Sequence, residues 1–417
     1  SYDTMIQKIA ENLQSVTGAL LILLFVGALA GTWLISGIIP AMIYYGLQIL
    51  HPSIFLPACI FICAIISIAT GSSWTTSATV GIALIGIGKV LGIPVGMVAG
   101  AVISGAYFGD KLSPLSDTTN LAPAMAGGNL FTHIRYMTLT TVPSILITLI
   151  VFFILSFTQS TTGNADIESL LITIKEKFTI NLWLFLVPSI VIFLIVKKSP
   201  PLIALLIGTI LGAIFALIFQ SNILLEITES NILTPSVAYR GIIDAITVST
   251  EINSTNPLLN DLFTSGGMKG MLDTIWLIIC AMVFGGVMEA IGALDRISNA
   301  LLNWAQSTFK LFASTVASCL AINLTASDQY LSIVIPGKMF AKAYEERKLA
   351  PENLSRTLED SGTVTSVLIP WNTCGAYQSS VLGVGVDEYF IYAVFNWLSP
   401  FMTLIYAALD IKIKDLK

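Results

Sequence analysis

Gly105-Ala-Tyr-Phe-Gly-Asp-Lys-Leu-Ser-Pro-Leu-Ser-Asp-Thr-Thr-Asn120 is the stretch whose reading decides the fold. A small-residue apolar helix beginning near Ala99 runs into it. Pro114 then interrupts the ladder of helix hydrogen bonds. Asp110, Lys111 and Asp117 place two carboxylates and an ammonium within eight residues, and Ser113, Ser116, Thr118, Thr119 and Asn120 add four hydroxyls and an amide. Sustained apolar sequence resumes only near Met137. In a membrane-spanning chain, polar irregular backbone is tolerated where it is buried in protein or lines a wet cavity. The stretch therefore reads as half of an ion-binding site.

Composition makes the chain a membrane protein. Its 417 residues are 55% hydrophobic and 11% charged, where soluble domains carry about 25% charged residues. The mean hydropathy is +0.84. Apolar runs long enough for a hydrocarbon core, which needs about 20 residues, recur from Leu20 onward. We count roughly ten to eleven, some of them broken, and expect an all-α polytopic fold. The chain begins at Ser1 without a methionine, and residues upstream are expected to be missing; no cleavable signal peptide is visible. A net charge of −5 argues against a nucleic-acid partner. The cysteines at 59, 63, 280, 319 and 374 sit in apolar context without zinc-ligand spacing, and two histidines cannot form a histidine-rich metal site.

Four polar breaks interrupt the apolar runs. Gly71-Ser-Ser-Trp-Thr-Thr-Ser77 is the first and the Pro114 segment the second. Leu324-Thr-Ala-Ser-Asp-Gln329 is the third, and Ser361-Gly362 through Pro370-Trp-Asn-Thr-Cys-Gly375 the fourth. In each half a hydroxyl-rich break precedes a Ser-Gly pair and a proline-centred break at similar distance. Paired discontinuous helices meeting at the bilayer midplane are the repeat signature of secondary transporters. This reading makes one transporter domain of residues 1–417, with repeat one at about 18–160, connecting spans and an external segment at about 180–272, and repeat two at about 273–409. Gly27-xxx-Gly31 in the first span permits close helix packing. Lys197-Lys198, the basic Lys342–Arg356 loop and the C-terminal lysines, Lys417 included, are assigned to the cytoplasm, and Gln220–Asp273 to the outside. Glu289 reads as a helix-end residue beside Asp295-Arg296.

Gly71-Ser-Ser-Trp-Thr-Thr, the whole of Gly105–Asn120, Gly266-Gly-Met-Lys-Gly-Met, Ser355-Arg-Thr-Leu-Glu-Asp-Ser-Gly-Thr363 and Pro370-Trp-Asn-Thr-Cys-Gly together resemble the NhaC family of bacterial sodium/proton antiporters. The resemblance covers most of the chain. It implies a multi-pass inner-membrane protein with two inverted repeats and re-entrant helical hairpins. The implied activity is secondary active exchange of sodium for protons, with no cofactor. Sodium-coupled malate/lactate exchange is the alternative within the same family. The implied partners are sodium, protons and the bilayer; a small organic anion and a homodimer complete the set considered.

Sodium is a hard cation that suits oxygen ligands. The breaks supply them in Ser72, Ser73, Thr75 and Thr76, in Asp117, Thr118 and Asn120, in Thr325, Ser327 and Asp328, and in Asn372 and Thr373. The sodium site itself is placed at Asp117, Asn120, Asp328 and Thr325. Each hydroxyl alone is more often a helix cap or an inter-helix hydrogen bond, and it is their clustering at breaks that points to a site. Antiport needs a carboxylate that holds either a proton or sodium. Asp117 leads, with Asp328 beside it. Asp110, Glu359 and Asp360 are the further proton-coupling candidates, Asp110 being expected to pair with its neighbour Lys111. An ATP-driven pump is disfavoured because no Gly-xxxx-Gly-Lys-Ser/Thr loop exists and Gly86-Ile-Gly88 lacks a third glycine. An intramembrane aspartyl protease would also put two aspartates at depth, but hydroxyl-rich breaks suit cation coordination better. A channel could use the same breaks, whereas carboxylates as binding groups favour a carrier, so no enzyme activity is expected.

Overall fold

Helix α1 (Tyr2–Ile35) opens the computed structural model, which describes residues 2–158 and 164–416. Its N-terminal half is polar and largely exposed, and its second half is buried. The backbone of other segments crosses close over the two glycines of the packing motif. A Cβ on Gly31 would stand 1.8 Å from the carbonyl oxygen of Ala245, and one on Gly27 would stand 2.3 Å from that of Gly267. After α2 (Ile38–Ile49), α3 (Pro52–Thr70) starts with proline in its first turn, where a missing amide costs nothing. It stops at Gly71, whose φ of +70° is a left-handed conformation that side chains other than glycine rarely adopt. The chain restarts as α4 (Ser73–Thr76), passes through a π-helical turn at Ser77–Gly81 and continues as α5 (Ile82–Val90).

α6 (Val95–Leu112) lies along α3. Gly105 and Gly109 make that approach possible, since a Cβ at either would fall 2.3 Å from the Ile60 oxygen or 2.4 Å from the Ala64 oxygen. The Ser67 hydroxyl seals the contact by donating to the Ala106 carbonyl at 2.6 Å. Beyond the Pro114 break, α7 (Asp117–Ala126) turns away from these helices and packs on the second half of the chain, and α8 (Leu130–Thr158) follows.

α9 (Asn164–Lys177) and α10 (Leu186–Val196) are bent by 87° about their junction, and α11 (Pro201–Phe219) returns after the Lys197–Pro200 turn. α12 (Ser221–Ile227) and α13 (Pro235–Thr247) lead to a two-residue antiparallel ladder, β1 (Thr250–Glu251) with β2 (Thr264–Ser265), that brackets α14 (Pro257–Leu262). α15 (Leu272–Ala290), α16 (Ala293–Trp304), α17 (Thr308–Thr325) and α18 (Gln329–Glu346) come next. α19 (Pro351–Leu358) runs on into a second π-helical turn, Glu359–Thr363. α20 (Thr373–Leu382), α21 (Val386–Tyr389) and α22 (Val394–Ala408) end the chain.

The exposed faces show which solvent the fold is built for. Leu146, Ile150, Phe153 and Phe157 form a stripe at helical spacing on α8, and Ile203, Leu206, Ile210, Ile214 and Leu217 form another on α11. Unpartnered apolar stripes on helices whose buried faces pack inward are lipid-facing. The protein is an all-helical membrane protein. Six of the described helices are long and apolar enough to cross a bilayer alone, and a seventh span arises if the bent 167–196 pair is one. α2 and α22 are apolar but shorter. The proposed end of repeat one at residue 160 and the terminal Lys417 lie outside the described residues.

One detail differs from expectation. Arg356, counted with the basic loop, is fully buried inside α19, because that helix begins at Pro351 and carries the chain straight back into the bundle. Glu289 does stand at a helix end, in the last turn of α15, where it pairs with Lys8 of α1 at 2.9 Å and accepts from Asn12 at 2.9 Å. The C-terminal tail and the 348–352 segment share one face. The Ala350 amide donates to the Lys414 carbonyl at 2.8 Å, and Lys414 pairs with Glu352 at 2.5 Å.

Candidate functional site

All four breaks restart in the same way. Ser72 accepts from the Thr75 amide, Ser116 from Thr119, Asp328 from Tyr330 and Leu331, and Asn372 from Cys374. Each new helix thus has a side-chain N-cap, which satisfies amides that have no partner within the helix. Ser116 takes the capping role that Asp117 could have filled, and Asp117 is left exposed at the first position of α7.

The breaks also touch one another. Asp110, near the end of α6, receives the Ser73 amide at 3.1 Å and the Ser73 hydroxyl at 2.7 Å. The Thr119 hydroxyl donates to the Lys111 carbonyl at 3.1 Å. In the second half the Thr373 amide donates to the Ser327 carbonyl at 3.0 Å, and Trp371 Nε1 to the Leu324 carbonyl at 2.9 Å. Asn372 Nδ2 reaches the Asn323 side-chain oxygen at 3.1 Å. Ser327 has φ +60°, uncommon for a residue with a side chain, and this bend turns Asp328 onto the start of α18. The two halves meet where Trp74 stacks on Tyr377, with ring centroids 3.9 Å apart, and the Tyr377 hydroxyl donates to the Trp74 carbonyl.

A cavity of about 700 Å³ opens between these breaks, α1 and the 198–201 turn. Asp110, Asp117 and Asp328 line it, together with Ser72, Thr75, Thr118, Asn120 and Thr373. All three carboxylates are charge neighbours of the Tyr330 hydroxyl, and Asp110 and Asp117 interact with each other. Lys198 is the one cation among the described lining residues. Helix N-termini contribute partial positive charge, about half an elementary charge each. Three carboxylates against one lysine give the lining an excess of acidic, oxygen-bearing groups, which suits a cation.

The other candidates stand off the cavity wall. Ser73 acts on it through Asp110. Thr76 and Thr325 turn their hydroxyls back onto the Ser72 and Ala321 carbonyls, Asn372 caps α20, and Ser327 is buried in its turn. Of the four residues assigned to sodium, Asp117, Asn120 and Asp328 line the cavity and Thr325 does not. Asn120 uses its amide nitrogen on the Pro114 and Ser116 carbonyls, and Asp328 uses one oxygen on its cap. Among the described residues no three histidine, cysteine, aspartate or glutamate groups gather as a metal cage. A sodium ion here would be cargo, held by a few carboxylate oxygens, hydroxyls and water.

Lys111 does not pair with Asp110. It forms a buried ion pair with Asp360, whose other oxygen accepts from the Thr140 hydroxyl at 2.8 Å and from that of Thr403. A side chain at 111 emerges about 100° around the helix from one at 110, so the two neighbours face different partners. Asp360 is thus held by Lys111, Thr140 and Thr403, off the cavity wall. Glu359 is fully buried beside it and away from the cavity wall. Sequence reasoning missed Trp74, Tyr330, Lys198 and, on α1, Ser15, Val16, Gly18, Ala19 and Ile22, all of which line the cavity. Trp74 lay inside a break already identified, whereas nothing local marks α1 as a cavity wall.

Comparison with known proteins adds an independent line. The family model described as the Na+/H+ antiporter family matches residues 105–411. A Na(+)/H(+) antiporter NhaC of Alkalihalophilus pseudofirmus is 40% identical over 390 residues, 94% of this chain and 81% of that protein. A malate-2H(+)/Na(+)-lactate antiporter of Bacillus subtilis is 38% identical over 402 residues, 96% of this chain and 82% of its own length. A second Bacillus subtilis protein, a Na(+)/H(+) antiporter NhaC, is 35% identical over 399 residues, 95% of this chain and 85% of that one.

Proposed function

The chain belongs to the Na+/H+ antiporter family, and from that premise we propose that the cavity between its four helix breaks is where sodium and protons exchange. The protein exchanges sodium ions for protons across the membrane. In our reading Asp117 is the carboxylate at which the two cations compete, with Asp110 and Asp328 sharing the field, and Ser72, Thr75, Thr118, Asn120 and Thr373 supplying neutral oxygens. The single observation that carries this is a lining with three carboxylates and one lysine among its described residues. Sodium and a proton cannot both occupy one carboxylate oxygen pair. Release of one admits the other, and alternating access of the cavity to the two faces makes that competition into transport.

In our reading the chain holds two inverted repeats, each with a broken hairpin, and the matching restarts at Ser72 and Ser116 and at Asp328 and Asn372 support it. We place the Lys197-Lys198 turn, the 347–350 turn and the C-terminus in the cytoplasm of a bacterial cell, because basic turns stay inside. The cavity, with Lys198 at its edge, is then open inward.

Sodium-driven pH change in liposomes containing the purified chain tests the reading, with Asp117→Asn as the control. Loss of proton movement with intact insertion is the expected result; wild-type rates in the variant would sink the assignment. Organic-anion exchange is the less favoured reading, since a dicarboxylate would face three like charges. Malate and lactate added to the same assay should leave the rate unchanged.

A further inference from the structure

Glu359 and Arg356 stand one helical turn apart, and among the described residues neither is held in an ion pair, the Thr363 hydroxyl being the polar group beside Glu359 on its own turn. Both are fully buried. Among the described residues neither oxygen of Glu359 meets a hydrogen-bond donor, and Nε, Nη1 and Nη2 of Arg356 meet no acceptor. The Arg356 guanidinium instead lies over Tyr136, 4.6 Å from the ring centroid, with Tyr406 at 5.9 Å. Aromatic faces hold a cation without fixing it by directional bonds. Glu359 opens the π-helical turn Glu359–Thr363, a distortion that recurs at functional sites.

The surroundings separate this acid from its neighbours. Lys111 is close to Glu359 but is already paired with Asp360 on the same turn. Asp110, the carboxylate bound to Ser73 on the cavity side, is also a charge neighbour of Glu359. From the elements packed against this turn, Cys319 of α17 bonds to Ser361 and Thr403 of α22 donates to Asp360. An ionised carboxylate left without donors in such a place is costly, and a protonated one is not. Once ionised, it has an uncommitted guanidinium at the i−3 position of its own helix, close enough for pairing after a side-chain rotation.

We infer that Glu359 is a second proton-carrying residue of the exchange, one that binds no sodium, and that Arg356 is the cation that receives its carboxylate when the proton leaves. The inference rests on the antiport reading above. The proton departs from a Glu359 oxygen and is taken by Asp110, ionised once sodium has left it. Glu359 becomes a carboxylate paired with Arg356 and is later reprotonated from solvent. Arg356 is a positioning residue here, since it touches neither ion.

The test uses the full chain in liposomes and measures two exchanges, sodium for sodium with labelled sodium ions and sodium for protons with a pH dye. Glu359→Gln should keep sodium-for-sodium exchange, which needs no proton, while sodium-for-proton exchange falls at least about a hundredfold. Equal loss of both marks a structural role and overturns the proposal; so does an unchanged proton exchange. Glu359→Asp, which retains an acid, should restore proton coupling with a displaced pH midpoint, and an undisplaced midpoint also overturns it. Arg356→Gln should move that midpoint upward, because the carboxylate loses its cation, whereas Arg356→Lys should move it less. If the unmodified chain shows sodium-for-sodium but no sodium-for-proton exchange, the antiport reading itself fails and takes this one with it.

Discussion

Lys111 and Asp360, 249 positions apart, form an ion pair at 1% and 0% side-chain exposure between α6 and the turn that follows α19. With Thr140 and Thr403 completing the carboxylate's hydrogen bonds, the pair ties both halves of the chain together beside the cavity. Removing one partner leaves a bare charge. Asp360→Leu or Lys111→Met should therefore lower the unfolding free energy by about 3–5 kcal/mol. The double change Lys111→Met with Asp360→Leu should recover much of that loss. Thermal unfolding in detergent of the two single variants and the double variant checks it; additive losses in the double variant would dismiss the pair as a coupled unit.

Asp110 and Asp117 should respond alike to loss of charge. Asp110→Asn retains an oxygen for the Ser73 amide and hydroxyl, so the protein should still fold, and sodium-driven proton movement should fall steeply, as expected also for Asp117→Asn. Rates and thermal stability measured on the same preparations distinguish this from a structural defect. A variant that loses stability in proportion to activity would place Asp110 with Asp360 instead.

Competition between a proton and sodium at one carboxylate fixes a sign. As pH falls the proton occupies the site, and apparent sodium affinity should weaken by up to about tenfold per pH unit for one competing proton. Sodium binding followed calorimetrically at a series of pH values provides the measurement. A slope that persists unchanged in Asp117→Asn would move the exchanging role to Asp110 or Asp328.

Gly105 leaves no room for a methyl group, because its Cβ position is 2.3 Å from the Ile60 carbonyl oxygen, part of the helix backbone. Gly105→Ala should push α6 off α3 at a cost of about 1–3 kcal/mol. It should also impair transport by displacing Asp110 one turn further on. Gly127→Ala, by comparison, meets no atom within 4 Å, although its φ of +78° adds strain of its own. A drop in melting temperature larger for position 105 than for position 127 is expected.

The orientation is open to a direct experiment. In a background without the native cysteines, Lys348→Cys should be labelled from the cytoplasmic side only, and a cysteine replacing Lys198 should react from that side and be slowed by sodium. Labelling of position 348 from outside alone would invert the topology.

Much of this was readable in the chain before any coordinates. Pro114, the hydroxyl clusters and the aspartates betray breaks because polar side chains gathered in an apolar run need buried partners or a wet cavity. Asp117, Asp328, Ser72, Thr75, Thr118, Asn120 and Thr373 accordingly fall on the cavity wall. What escaped reading was pairing across distance. Lys111 next to Asp110 invites a local pair, and only the rotation of the helix sends one to Asp360 and the other to Ser73. Likewise, Arg356 follows a run of basic residues in sequence, yet Pro351 starts a buried helix before it. Thr325 and Thr76 carry suitable oxygen but spend it on their own helices, a choice of rotamer that residue type does not announce.

The side-chain caps at Ser72, Ser116, Asp328 and Asn372 have a bearing on how the cavity can shut. A transport cycle that exposes one face at a time passes through an occluded stage in which the ion is sealed from both. Helix ends that relied on water for their amides would be stripped at that stage, at several kcal/mol for each unsatisfied group in hydrocarbon. Here the capped amides carry their partners with them. The broken helices can close over a dehydrated ion as intact pieces, and the free energy of occlusion falls on the ion's own hydration shell instead of on the scaffold that surrounds it.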